Sequence, residues 1–245
     1  MIKILFRARN FLDFMFFSRY LSKNRLEKLF FKQFFSVAPY PDIESAPHGK
    51  KVCVISPHID DDAIGCGGFI SLLKKNNCSI TVYYIDGGDE IRRKEAEELQ
   101  RLVHYDERIF GNEEKIDFSF ILKNNFDIIL LPDYFDNHHF HHQAAKSFFN
   151  FLRGASPPLE NLSLYFYEIW SPLVPNVVVD ISSVIDAKKE YINVFASQSA
   201  DKDYARAAIG LNQYRSLSFP ARSCAYAEAF FKISSVQLVS FLKRI

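Results

Sequence analysis

Val52-Cys53-Val54-Ile55-Ser56-Pro57-His58-Ile59-Asp60-Asp61-Asp62-Ala63-Ile64-Gly65-Cys66-Gly67-Gly68 runs from a short apolar segment through one histidine and three consecutive aspartates into a glycine-marked turn and a helix. A β-branched run of this length, bounded by Ser and Pro, reads as a buried strand. In an α/β protein the residues just after such a strand lie at the carboxyl edge of the sheet, where crevices form. Three adjacent carboxylates repel one another unless a positive charge sits between them. A divalent metal is the economical candidate.

Working outward, the pattern continues as short apolar runs alternating with helix-length segments. Val52 to Ser56, Ile80 to Ile85, Ile128 to Leu131 and Leu164 to Tyr167 read as strands. Ala63 to Lys75, Glu90 to Val103, His142 to Leu152, a segment begun near Ser182, and Asp201 to Tyr214 read as helices. Strands separated by helices argue for βαβ units, so the expected class is α/β, a Rossmann-like, mostly parallel sheet flanked by helices. No GxGxxG follows the first strand, and Gly65, Gly67 and Gly68 are not joined by a phosphate-loop lysine, which disfavours a nucleotide cofactor.

Composition bounds the rest. The chain has 245 residues, 48% hydrophobic, enough for one large core, and its formal charge of +1 gives no reason to expect nucleic acid as a partner. The charge is uneven, because residues 1–51 hold ten Lys/Arg against four Asp/Glu. Residues 1–36 also carry nine phenylalanines, with Leu26, Leu29, Phe30 and Phe34 at helical spacing and Asn24 and Glu27 placed as a capping box. We expect an N-terminal helical extension and linker over 1–48, punctuated by Pro39, Pro41 and Pro47, ahead of a domain over 49–245. The phenylalanines pack on the main domain or on a second subunit, as in a homo-oligomer; contact with an anionic membrane surface is the second reading. Cys53, Cys66, Cys78 and Cys224 form no CxxC pair, no spanning apolar run exists and no signal-peptide pattern opens the chain. A reducing cytoplasm is the expected location, with membrane association as the variant.

The second chemical cluster follows the strand at 128–131. In Leu131-Pro132-Asp133-Tyr134-Phe135-Asp136-Asn137-His138-His139-Phe140-His141-His142, four of the chain's seven histidines occupy positions 138–142. A histidine-rich loop can simply be solvated. Here both clusters follow buried strands, so a parallel sheet would bring them to one edge. His58 and Asp61 with one of these histidines would supply three metal ligands and leave a position open, as catalytic zinc sites do.

Pro57-His58-Ile59-Asp60-Asp61-Asp62 with Gly65-Cys66-Gly67-Gly68 resembles the (A/P)HPDD(E/D)…GCGG signature of the LmbE-like, or PIG-L, metal-dependent de-N-acetylases. His139-Phe140-His141-His142 resembles that family's HxDH or HxxH motif. The likeness extends through Asp86-Gly87-Gly88, Arg92-Arg93-Lys94-Glu95, Tyr167-Glu168-Ile169-Trp170, Ser197-Gln198 and Tyr226-Ala227-Glu228-Ala229-Phe230, about residues 50 to 233. It implies one zinc per chain, or another divalent ion, held by His58, Asp61 and His142. Asp60 would be the general base, and His139 would stabilise the oxyanion and help protonate the leaving amine. The chain departs at Ile59, Asp62 and His141, which stand where proline, glutamate and aspartate are usual. Asp136 or Asp133 is then expected to orient a histidine in place of the missing aspartate. Tandem histidines also allow a second register, His138 with His141, at the same spacing.

Arg92, Glu168 and Trp170 are the expected substrate-binding residues, although an Arg92–Glu95 pair on a helix is ordinarily a solvated surface pair and Trp170 could equally be core. The expected activity is removal of an acetyl group from an N-acetylated amino sugar, free, nucleotide-linked or lipid-linked, in glycan or surface-polysaccharide biosynthesis. A non-haem Fe(II) oxygenase shares the ligand types, but its jelly roll does not fit the α/β alternation. A non-catalytic sugar-binding protein would have no need of Asp60.

Overall fold

The computed structural model describes residues 40–155, 159, 162–199 and 202–243. The helical extension expected over residues 1–36 lies outside the described residues. In chain order the elements are β1 (Asp42–Glu44), β2 (Lys51–Ser56), α1 (Asp61–Lys75), β3 (Ser79–Tyr84), α2 (Glu90–Val103), β4 (Glu107–Phe110), α3 (Ser119–Asn124), β5 (Ile128–Pro132), α4 (His139–Gly154), β6 (Ser163–Tyr167), β7 (Val177–Asp180), α5 (Ile185–Asn193), α6 (Tyr204–Arg215), β8 (Ala227–Ser234) and α7 (Ser235–Lys243).

The strands form one eight-stranded sheet in the order β1-β7-β8-β6-β5-β2-β3-β4. All neighbours pair in parallel except β8, which runs antiparallel to both β6 and β7. This is the Rossmann-like, mostly parallel sheet that the alternation of elements implies. Both faces are covered, and β2 shows why: Val52 and Val54 point into one apolar cluster while Cys53 and Ile55 point into the other. Such a strand reads as continuously hydrophobic because the side-chain period of two fills both faces.

Chain order reverses between β2 and β5. From β2 the sheet grows through β3 to β4, and from β5 it grows the other way through β6. Loops leaving the carboxyl ends of two such strands diverge and leave a crevice, the usual place for a ligand in open α/β sheets. The loop after β2 carries His58 and Asp60, and the loop after β5 carries Asp133, Asp136 and His138.

Three local expectations change. Asp42–Glu44, read as linker, pairs with β7 and forms the sheet's edge, so the sheet begins before the boundary expected at residue 49. The glycines read as a turn lie inside α1, which is broken instead at Cys66 (φ −139°). A Cβ on Gly65 would lie 2.2 Å from Tyr167 Cδ2 and 2.9 Å from the Glu168 carbonyl, and one on Gly68 would lie 2.8 Å from Ile181. These glycines therefore permit close helix-to-sheet packing. The break frees backbone N–H groups in mid-helix, and Glu228 accepts from Gly68 N (2.8 Å) and Phe69 N (2.7 Å) while Lys188 Nζ donates to it at 2.7 Å. Finally, α4 starts at His139 rather than His142.

Candidate metal centre

α4 controls the register of the histidines. Its buried residues are His141, Ala144, Ala145, Phe148, Phe149 and Leu152, the i, i+3, i+4, i+7 stripe of a helix packed on a sheet. His141 belongs to that stripe and is fully buried; His139 is exposed on the first turn. His142 turns aside, its Nδ1 2.6 Å from the Tyr134 carbonyl and its ring against Tyr134. The structure thus brings His138 and His141, the second register, together with His58, and places His139 and His142, the first register, outside this group. The apolar periodicity of 144, 145, 148, 149 and 152 was the available signal, since carrying it one turn back reaches 141 and not 142.

The donor atoms form a closed triangle. His58 Nδ1 lies 3.1 Å from Asp61 Oδ2 and 3.2 Å from His141 Nε2, and His141 Nε2 lies 3.2 Å from Asp61 Oδ2. Bonds of about 2.0–2.2 Å to a tetrahedral ion place its ligands about 3.3–3.6 Å apart, so the triangle needs almost no rearrangement to hold one. His58, His138 and His141 also bring one nitrogen each within 4.8 Å of one another. Among the described residues, the buried Nδ1 of His138 has no hydrogen-bond partner. A clustered N/O donor set with an unsatisfied nitrogen beside it fits a divalent metal.

Asp136 organises the second loop. Its Oδ1 lies 3.2 Å from His141 Nδ1 and accepts from His138 N at 2.8 Å, while Oδ2 accepts from Trp170 N (2.9 Å) and Ser171 N (3.2 Å). A carboxylate on the far nitrogen of a metal-facing histidine fixes its tautomer and orientation. Of the two aspartates expected there, Asp136 occupies the position.

The electrostatics follow from burial of like charges beside histidines. Burial, then the charge of Asp61, pushes Asp60 up to about 7. Burial also acts to raise Asp61, but the charge and hydrogen bond of His141 outweigh it and hold that carboxyl well below the usual range. Burial opposes protonation of His141, yet Asp61 and Asp136 carry its pKa up to about 10. For His138, burial and then the charge of His141 lower it. Asp62 is raised to about 6 by burial, against the hydroxyls of Tyr105 (2.6 Å) and Tyr84 (3.1 Å) that donate to it. Asp62 thus anchors α1 beneath the site and does not enter it.

The three expected substrate-binding residues divide. Arg92, in the first turn of α2, donates to Gln198 Oε1 (2.6 Å) and Asp86 Oδ2 (3.4 Å) and contributes to the field at Asp60. Its expected surface partner Glu95 instead accepts from Ser197 N (2.8 Å) and Ser197 Oγ (2.6 Å). Trp170 is 44% exposed, and its ring stacks near His138 with centroids 6.0 Å apart. Glu168 is buried and bound to Leu173 N (2.8 Å) and to the Arg215 guanidinium, which also donates to the Leu173 carbonyl. Through these bonds Glu168 pins the 168–173 loop that presents Trp170, and it also lines the cavity beside that ring. Arg215, assigned no role from the sequence, is its partner, a pairing across a sequence distance that no local pattern signals.

No family model and no curated protein sequence matches the chain. Solved structures do. A conserved protein, TT1542, from Thermus thermophilus is 22% identical with a TM-score of 0.62, covering 74% of this chain and 94% of its own. N,N'-diacetylchitobiose deacetylase from Pyrococcus horikoshii is 23% identical with a TM-score of 0.60, covering 76% and 85%. GalB, the 4-carboxy-2-hydroxymuconate hydratase of Pseudomonas putida, is 19% identical with a TM-score of 0.61, covering 75% and 96%. One architecture thus serves a deacetylase and a hydratase, and the site residues, not the sheet, must choose the reaction. The chain thus shares its fold with these solved proteins, a deacetylase and a hydratase among them.

Proposed function

We propose that the protein is a zinc-dependent hydrolase that removes the acetyl group from an N-acetylated amino sugar. The observation that carries this reading is the His58–Asp61–His141 donor triangle flanked by Asp60 and His138. His58, Asp61 and His141 are the ligands in this reading, and zinc bound there supplies Lewis acidity and lowers the pKa of coordinated water towards about 7.

The remaining chemistry belongs to the chain. An amide has a weakly electrophilic carbonyl and an amine that leaves only when protonated, so the site needs a base, an oxyanion partner and an acid. Asp60 is buried with a pKa pushed up to about 7, poised both to accept a proton from water and to return one. His138 stands beside the ligands with a free buried Nδ1, and backbone N–H bonding to Asp136 fixes its place. It meets the developing oxyanion, an interaction often worth about 3 kcal/mol, and serves the leaving amine. Arg92, held by Asp86 and Gln198 at the rim, binds sugar hydroxyls, and Trp170 offers its apolar ring face. A hydratase adds water across a carbon–carbon double bond conjugated to carboxylates and needs cationic groups to bind them; this cluster offers carboxylates and histidines, with Arg92 already paired.

The setting we infer is glycan or surface-polysaccharide biosynthesis in the cytoplasm. Among the described residues no helix is long and apolar enough to cross a membrane. Mass spectrometry of a panel of N-acetylhexosamine derivatives incubated with the zinc-loaded protein tests the reading. Loss of one acetyl group from at least one of them supports it, and an unchanged panel counts against it.

A further inference from the structure

Resting on the metal site of that reading, we propose that Glu228, paired with Lys188, is a positioning residue: it caps the second half of α1 where the helix breaks at Cys66, and so sets the direction of the first turn, which carries Asp61. α1 departs from helical geometry at Cys66 (φ −139°, ψ 20°). A continuous helix would give the N–H groups of Gly68 and Phe69 to the carbonyls of Ile64 and Gly65. Glu228 accepts both, Oε1 from Gly68 N at 2.8 Å and Oε2 from Phe69 N at 2.7 Å. A carboxylate spanning two adjacent N–H groups at the start of a helical segment caps it and meets the positive end of its dipole. This cap comes from β8, 160 positions further along the chain than Gly68.

Stability alone does not account for the pair. Lys188 Nζ, from α5, donates to Glu228 Oε1 at 2.7 Å, and both side chains are 1% exposed. Apolar residues of similar volume often replace such a buried pair at no net cost in stability, so what the pair contributes is the arrangement it fixes. Each half of α1 then has its own support, Gly68 against Ile181 and Gly65 against Tyr167 and the Glu168 backbone. The start of the first turn is anchored by Asp62, whose carboxylate accepts from Tyr105 (2.6 Å) and Tyr84 (3.1 Å) and whose N–H donates to Ser56 Oγ (3.1 Å). Ser56 Oγ donates in turn to the His58 carbonyl at 2.7 Å. Asp61 and Gly65 lie four residues apart on one side of this turn, so a change of angle at the break moves both. Asp61 Oδ2 closes the donor triangle at 3.1 Å from His58 and 3.2 Å from His141, and such a constellation must be held to within about 0.5 Å.

The test uses double variants of the full chain that remove the pair without leaving a buried charge. Glu228→Leu with Lys188→Met deletes the cap, whereas Glu228→Gln with Lys188→Met keeps one acceptor oxygen for the two N–H groups. Glu44→Leu with Lys232→Met removes an ion pair elsewhere on the sheet and is the control. The measurements are zinc affinity by competition titration, the urea midpoint after chelation, and kcat and KM on N-acetylhexosamines. Zinc binding should weaken about 100-fold in the Leu/Met protein and about tenfold in the Gln/Met protein, the span seen for groups that support a metal ligand, and stay unchanged in the control. Urea midpoints of both cap variants should stay near wild type, and kcat should fall with KM unchanged, because the cap does not touch substrate. A merely structural role would move the midpoint and leave the affinity of the folded protein alone. Wild-type affinity in the Leu/Met protein, an equal loss in both cap variants, or an equal loss in the control would overturn the role of Glu228. Where the Leu/Met protein does not fold, the Gln/Met protein decides: a tenfold loss supports the role and wild-type affinity overturns it. Zinc uptake without turnover of any N-acetylhexosamine would overturn the deacetylase reading alone, and a wild-type chain that takes up no zinc would overturn both.

Discussion

His141 and Asp136 face each other across the loop after β5, Nδ1 to Oδ1 at 3.2 Å, so that the opposite nitrogen of His141 is aimed at His58 and Asp61. The same carboxylate ties down the backbone of His138, Trp170 and Ser171. One buried aspartate therefore holds the His141 ring, the His138 backbone and the loop that carries Trp170. Asp136→Asn should lower zinc affinity by about 10–100-fold, the usual range for loss of a ligand's carboxylate partner, with the fold retained by circular dichroism. Unchanged affinity in a competition titration would remove Asp136 from this role.

The histidine register is tested by metal content. His141→Ala should lose stoichiometric zinc by elemental analysis, whereas His142→Ala and His139→Ala keep it, because their side chains lie outside the donor triangle. Loss of metal in His142→Ala with retention in His141→Ala reverses the assignment.

In the proposed mechanism Asp60 and His138 act beside the ligands and are not among them. Asp60→Asn should retain zinc and lose about 10²- to 10⁴-fold in kcat. His138→Ala should likewise retain the metal and lose activity, while His139→Ala changes neither. Full turnover by the Asp60→Asn protein would dismiss it as the base.

Asp133, just after β5, is raised to about 7 by burial, with the backbone N–H groups of Phe135 and Tyr134 acting to lower it and the like charges of Asp136 and Glu168 acting to raise it. Its folded pKa thus exceeds the ordinary carboxylate value of 3.8. The sign follows: the native state holds this proton more tightly than the unfolded chain, so the stabilisation is complete below pH about 4 and lost as pH rises towards 7. Replacing Asp133 by Asn removes the titration. In chelator-treated protein the Asn variant should gain stability relative to wild type between pH 5 and 8, by up to a few kcal/mol. Parallel stability profiles for the two proteins in urea melts would contradict it.

The glycines of α1 make opposite predictions at adjacent sites. Gly65→Ala drives a methyl group into Tyr167 and the Glu168 backbone and should cost about 1–3 kcal/mol. At Gly67 the nearest atom is Lys188 Cγ at 3.5 Å, so Gly67→Ala is tolerated or stabilising. Denaturant midpoints distinguish the pair.

The sheet was legible because β2, β3, β5 and β6 are buried on both faces, which leaves uninterrupted apolar runs in the chain. β4, Glu107–Phe110, escaped notice because it is an edge strand with an exposed and half-exposed pattern. β1 is three residues long, too short for any period to show. In the site, His58, Asp60 and Asp61 were legible since their spacing is local to one loop. The histidines were not, since a motif repeated at 138/141 and 139/142 is resolved only by the helix face that meets the sheet. Arg215 was not legible either: it lies 47 positions from its partner Glu168 and comes to it through folding.

The account stands most directly on metal-dependent loss of an acetyl group. Mass spectrometry of an N-acetylhexosamine substrate should show deacetylation by the zinc-loaded protein, none after chelation, recovery on restoring zinc, and none from zinc-loaded Asp60→Asn. Deacetylation that persists undiminished after complete removal of the metal, or in the His141→Ala protein, would contradict it.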